Sequence, residues 1–214
     1  MDINRRKANE LSLNRLVAHN LAHDCICMTA FRSDREEDKE GRHKRKAYVS
    51  NQQANHALGE ALRELGYQTI KVIGKYKETI ERDGEVLNTG RYVQEVSWFV
   101  VNVKDGKDFL AVCADLAEKD NQDSILVIPR GKLRSGNGCF LYGTTTREDA
   151  WVPYHRKMAC VRMLVGKADV STQVNGKEFS FDLASESSGI KCVGFGSNLV
   201  MHDYIRKHYG IDLR

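Results

Sequence analysis

The sequence predicts an α+β domain: a split βαβ, ferredoxin-like core with an added β-rich C-terminal part and a closing helix. Three observations carry this. Between residues 25 and 128 the apolar runs alternate as strand, helix, strand, strand, helix, strand. Each helical stretch carries one apolar stripe. Beyond residue 146 the pattern turns β-like and stays so until a last helical stretch after Ser197. The expected parts are an N-terminal helix at 1–23, an α+β core at 24–146, and a hairpin plus C-terminal helix at 147–214 packed on that core as one domain.

Residues 8–22 place Leu13, Leu16, Val17 and Leu21 at helical spacing. Cys25 to Phe31 is a short, near-continuous apolar run, the signature of a buried strand. Residues 32–49 are so polar that an exposed loop is expected. Ser50-Asn51-Gln52-Gln53 reads as a capping box opening a helix. Behind it Ala54, Ala57, Leu58, Ala61, Leu62 and Leu65 form a stripe, and Gly66 supplies a left-handed stop. Thr69 to Ile80 and Tyr92 to Val103 read as strands around the Asp83-Gly84 turn, with Gly74 as a bulge. Phe109, Leu110, Cys113, Leu116 and Ala117 mark a second helix. Ile125 to Ile128 and Cys139 to Thr146 follow as strands. Met158 to Val165, Asp169 to Val174 and Glu178 to Leu183 follow in turn, the last two joined by the hairpin dipeptide Asn175-Gly176.

Composition closes off several classes. With 41% apolar and 29% charged residues the chain is neither a disordered tail nor a membrane protein. No apolar run is long enough to span a bilayer, and no apolar segment follows the basic start, so no secretory signal is expected. The six cysteines form no C-x-x-C pair and are expected as reduced, buried thiols in a cytoplasm. The net charge of +4 permits nucleic-acid contact without requiring it. The charge is uneven: Asp34 to Glu40 is acidic, and Arg42, Lys44, Arg45 and Lys46 follow. That basic run is a candidate for phosphate or nucleic-acid contact, or a solvated loop.

The strongest candidate site is a set of polar residues at strand ends. Arg32 and Ser33 follow the first strand, Glu95 and Ser97 share a face of the third, and Gln122 and Ser124 open the next. Central strands one and three are neighbours in a split βαβ sheet, so Arg32 and Glu95 are expected to approach each other. Such a pair with hydroxyls around it orients a phosphate or a ribose; it also serves as a structural salt bridge. His19 and His23 with Cys25 and Cys27 have zinc-type chemistry without a finger spacing, and no metal is expected. Gly131 to Gly138 departs from the P-loop pattern and reads as a hairpin loop. Gly194-Phe195-Gly196 lacks the third glycine of a dinucleotide fingerprint, and no cofactor is expected. Trp151, Tyr154 and His155 form a loop that faces a ligand or staples the core. Hydrolase signatures are missing.

Several segments share a pattern: Thr29-Ala30-Phe31-Arg32; Asn55 with the leucine stripe to Gly66-Tyr67; Val72-x-Gly74-x-Tyr76; Glu95-x-Ser97-Trp98-x-Val100; and Gln122-Asp123-Ser124-Ile125. Over about residues 25–145 the order resembles a group of small uncharacterised proteins of bacteriophages and bacteria similar to the DUF3293-type domain. Trp98 departs from the phenylalanine more usual in that group, and the charged insertion 34–46 is unusual for it. The resemblance implies a phage or bacterial origin and brings no activity.

The expected function is binding of a nucleotide or another phosphate-bearing molecule through Arg32, Ser33, Glu95, Ser97, Gln122 and Ser124, acting against host defence if phage-encoded. One alternative is a non-catalytic virion or interaction component whose partner is a host or phage protein. The other is an enzyme on nucleotides or nucleic acid, with Glu95 as acid or base and Arg32 stabilising developing charge.

Overall fold

The structure is a computed structural model that describes residues 14–31, 44–82, 85–147, 152–165, 170–174, 177–183 and 192–193, with the backbone alone at 44–48, 75–95 and from 161 onward. The fold is mixed α+β. Helix α1 covers 14–22. Strand β1 (Cys25–Met28) precedes α2 (Lys44–Glu64), β2 (Gln68–Arg82), β3 (Glu85–Val101), α3 (Phe109–Lys119) and β4 (Ser124–Ile128). Then come β5 (Phe140–Gly143), β6 (Lys157–Val165), β7 (Val170–Val174), β8 (Lys177–Leu183) and β9 (Cys192–Val193). The strands pair antiparallel in the order β6-β5-β4-β1-β3-β2-β7-β8-β9, and β6 also pairs with β8. The C-terminal strands therefore extend the same sheet, through Ile73–Tyr76 of β2 against Val170–Gln173 of β7.

Alternation along the strands sorts the two faces. Ile26, Met28, Val100, Ile125 and Val127 point to one face and pack against Leu58 and Leu62 of α2 and Phe109, Cys113 and Ala117 of α3. Cys25, Cys27, Phe99, Val101, Leu126 and Ile128 are buried on the other. β1 is buried at every position, as its unbroken apolar run requires. Asn20 of α1 ties that helix to the end of β4: its amide donates to the carbonyls of Ile128 (3.1 Å) and Pro129 (3.0 Å), and its side-chain oxygen accepts from Leu133 N (2.8 Å).

Both packed helices end in the same way. Gly66 has φ +84, Tyr67 N donates to Leu62 O, and Gly66 N donates to Arg63 O. After α3, Asn121 takes the left-handed place at φ 53, with Gln122 N on Ala117 O and Asn121 N on Glu118 O. These are two Schellman stops, one with glycine and one with asparagine.

The structure departs from the sequence reading at several points. α2 starts at Lys44, six residues before Ser50, so the capping-box reading is wrong and Lys44, Arg45 and Lys46 are helical rather than part of a loop. Lysine, arginine and alanine are good helix formers, and they carry the helix upstream of the local Ser50 signal. Leu21 and Leu65 are exposed, so each predicted stripe is shorter than it reads. Gly74 pairs regularly with Glu95 and Thr172, and the register shift lies between Lys77 and Thr79. The strand expected to Thr146 stops at Gly143. The strands flanking Asn175-Gly176 do pair, with Val174 opposite Lys177. The helix expected after Ser197 lies outside the described residues.

Candidate ligand site at the polar end of the sheet

The buried stripe of α2 changes character along its length. Asn51 and Asn55 are buried in its first half, Leu58 and Leu62 in its second. The spacing is one helix face throughout. The leucines lie over the apolar sheet, and the asparagines lie beside its polar end. Asn55 Oδ1 accepts from Ala30 N at 3.0 Å, and its carbonyl accepts from Trp98 Nε1 at 2.8 Å. Thr29 Oγ1 donates to Val96 O at 2.7 Å and accepts from Phe31 N at 3.1 Å. Thus β1, on leaving the sheet, is held by side chains of α2 and by β3. A β-carbon on Gly59 would sit 2.7 Å from the Trp98 ring, so the glycine makes room for the indole beside Asn55.

Across the strand ends the polar surface continues. Ser97 and Ser124 lie on the sheet face opposite α2 and α3, because they alternate with Trp98 and Val100 on β3 and with Ile125 and Val127 on β4. With β1 between them, their strands stand two spacings, roughly 10 Å, apart. Gln122 lies two residues before β4. Its Nε2 donates to Phe31 O at 3.2 Å, and its carbonyl accepts from Thr144 Oγ1 at 2.7 Å. Thr144 N donates to Asp123 O at 3.0 Å, joining β5 to the set. Asp123 is buried, and Arg147 Nη1 lies 4.0 Å from its carboxylate. Ser97 and Gln122 are both 0% exposed, and among the described residues Ser97 Oγ and Gln122 Oε1 have no hydrogen-bond partner.

Of the six residues chosen from sequence, Ser97, Gln122 and Ser124 come together at one sheet end. Glu95 is on the Ser97 face by backbone alternation and stands opposite Gly74. Its side chain, Arg32, Ser33 and Arg42 lie outside the described residues. Sequence reasoning missed Asn51, Thr144, Thr145 and Arg147, all found at this end. A signal was present for Asn51: with Asn55 it interrupts an otherwise apolar helical stripe at a spacing of four.

The other candidates resolve differently. His23 Nδ1 lies 3.1 Å from Asp105 Oδ1, and His19 Nε2 lies 3.4 Å from Gln68 Nε2. Among the described residues no group of three or more such side chains is placed to hold a metal. The hydrogen bond from His23 and the Arg130 guanidinium hold the Asp105 carboxyl below the usual range. Residues 131–138 join antiparallel β4 and β5, as the hairpin reading requires, with positive φ at Gly131, Gly136 and Gly138. Tyr154 stacks on His155 at 3.9 Å and donates to Glu118 of α3 at 3.2 Å, both at the surface, and Trp151 lies outside the described residues. A shallow groove of about 340 Å³ on the outer side of α2 is lined by Val49, Gln52, Gln53, His56 and Ala57, on a different face from Asn51 and Asn55. No family model matches the chain, and neither a curated protein nor a solved structure is similar enough to match it.

Proposed function

We propose that the chain binds a small phosphate-bearing ligand, a nucleotide being the type case, at the polar end of the sheet. One observation carries this reading. Asn51, Asn55, Ser97, Gln122, Asp123 and Thr144 are each buried, on the two faces of the sheet, where an apolar core would be cheaper to build, and among the described residues Ser97 Oγ and Gln122 Oε1 have no hydrogen-bond partner. Each such atom costs free energy that a scaffold has no reason to spend. Two further points support it. Arg32 directly follows Phe31, whose carbonyl is part of the cluster. The first turn of α2 holds Lys44 to Lys46 and no acid, an arrangement that opposes the helix dipole and that a nearby anion relieves.

The architecture belongs to the same reading. The order β4-β1-β3-β2, with α2 and α3 on one face, supports a split βαβ core of ferredoxin-like type. Kinship with the DUF3293-type group, a phage or bacterial origin, a cytoplasmic workplace and action against host defence are further parts of the proposal. No helix among the described residues is long and apolar enough to cross a membrane. A thermal-shift panel of nucleotides tests the binding reading. At least one nucleotide raises the melting temperature, and Arg32→Ala cuts its affinity roughly tenfold, the loss of one charged hydrogen bond. A panel that produces no shift at all removes the proposal.

A further inference from the structure

We infer that Cys139 and Cys160 are a reversible redox pair, which a low-molecular-weight disulfide oxidises to a cross-strand bridge tying β5 to β6. Phe140 pairs with Ala159, Leu141 with Met158 and Tyr142 with Lys157. Cys160 N then donates to Cys139 O at 2.8 Å, so the ladder runs one step further and sets Cys139 opposite Cys160. Directly opposite residues share a face of the sheet. A hydrogen-bonded pair of this kind spaces its α-carbons by about 5.5 Å, inside the range of roughly 4.4–6.8 Å that a disulfide spans. The other cysteines are worse placed. Cys25 and Cys27 stand across β4 from Cys139, two strand spacings or about 10 Å away. They are two apart on β1, which spaces their own α-carbons by about 6.7 Å, at the far limit for a bridge. Cys192 is separated from Cys160 by β8, and Cys113 of α3 packs on the opposite face of the sheet.

The surroundings of the two sulfurs give them different parts. Cys139 sits at the foot of the 131–138 loop, and its Sγ donates to Lys132 O at 3.7 Å. Burial pushes the Cys139 thiol up to about 12 and Cys160 adds to that, while the Lys132 ammonium pulls the other way. Burial alone acts on Cys160. When the loop opens, the burial is relieved and the cation stays on the same segment, so Cys139 is the thiol that ionises and attacks. Its sulfur displaces one thiolate from the small disulfide and leaves a mixed disulfide. Cys160 then gives up its proton, attacks the Cys139 sulfur and expels the second thiolate. Two protein thiols are oxidised, one small disulfide is reduced to two thiols, and the protons pass to the leaving groups. Opposite β-carbons stand roughly 4.5–5.5 Å apart, toward the wide end in a hydrogen-bonded pair, whereas a disulfide holds them at roughly 3.5–4.5 Å. Drawing them together strains the ladder, and strained bridges are the readily reduced ones. β6 also pairs with β8, so the bridge fixes the C-terminal strands to the core sheet while it lasts.

The test uses the full chain with oxidised glutathione as the probe. Both thiols are covered in the resting fold, so exchange waits on the loop and runs over hours. Free thiols are then alkylated and the protein is cut with trypsin without reduction. Mass spectrometry is expected to find peptide 135–147 joined to peptide 158–162, and an excess of reduced glutathione to release them. In urea, with the strands apart, the preference for this pair is lost. Cys160→Ala traps glutathione on Cys139, whereas Cys139→Ala leaves the Cys160 thiol free. Lys132→Gln slows the joining several-fold and leaves the melting temperature unchanged. No joined peptide after a day, a different pair joined first, or a bridge that reduced glutathione fails to open overturns the inference. So does a preference that urea leaves intact, because the ladder is then not its cause. Glutathione on Cys160 as readily as on Cys139 in the two alanine variants overturns the order of attack. The peptide map of the unaltered chain decides the pairing even where an alanine variant fails to fold.

Discussion

Asn20 and Ser97 are both small, polar and buried, and they mean opposite things. Asn20 uses both ends of its amide, on two carbonyls and one backbone N–H of the 128–133 segment. Asn20→Ala strips these partners together, and chemical denaturation is expected to show a loss of about 2–4 kcal/mol. A loss under half a kcal/mol would mean that water replaces the amide freely. The Ser97 hydroxyl has no partner among the described residues, which is why its removal is expected to leave stability nearly unchanged. The sequence showed Asn20 one helical turn after Leu16, on the core-facing side of α1, yet the predicted stripe ran to Leu21, which is exposed. An apolar side chain at a helix end is weak information about facing. A polar one inside the stripe is stronger.

At the scale of elements, what was legible was what local chemistry decides. Gly66 was expected to stop α2, and it does so at φ +84 with both bonds of the stop formed. Gly66→Ala is therefore expected to cost about 1–2 kcal/mol, measured by denaturation, since alanine resists the left-handed region. The space around it also narrows, because a β-carbon would meet the flexible Lys104 ammonium. No loss would show the backbone relaxing to another ending. The start of α2 was not legible. Ser50 offers its own cap, but Lys44 to Val49 continue the helix, and no local residue announces where it begins. The length of the β2–β3 ladder was likewise underread. Both strands continue beyond the central sheet, where period-two patterning is diluted by charge.

At the scale of the whole molecule, the thiols report on how the interior is closed. Cys25, Cys139 and Cys160 are pushed up to about 12 by burial, and burial also raises Cys27 well above its ordinary value. The folded chain thus keeps these groups neutral, while the unfolded chain ionises them near the usual value of 9.0. Between those limits the unfolded state holds fewer protons, so stability falls as pH rises. It is fully present below about pH 9 and is lost progressively toward about pH 12. A urea midpoint that drops between about pH 8 and 10.5, with native thiols closed to a thiol reagent, is the expected result. A flat midpoint across that range would show the four groups to be wetter than the fold implies. The sequence suggested buried thiols from composition alone. It could not show that Cys25, Cys27 and Cys139 gather on one side of the sheet, because that follows from strand order.

The order in which the strands lie also sets a timetable for a chain leaving the ribosome. β1 is made early, yet its neighbours are residues 98–101 and 126–128, so it waits about seventy residues for its first partner and about a hundred for its second. The β2–β3 hairpin closes on itself across two residues and has no such delay. Nascent chains are therefore expected to carry a formed hairpin beside an exposed, oily CICM segment, and that segment is the natural grip for a chaperone until β4 emerges.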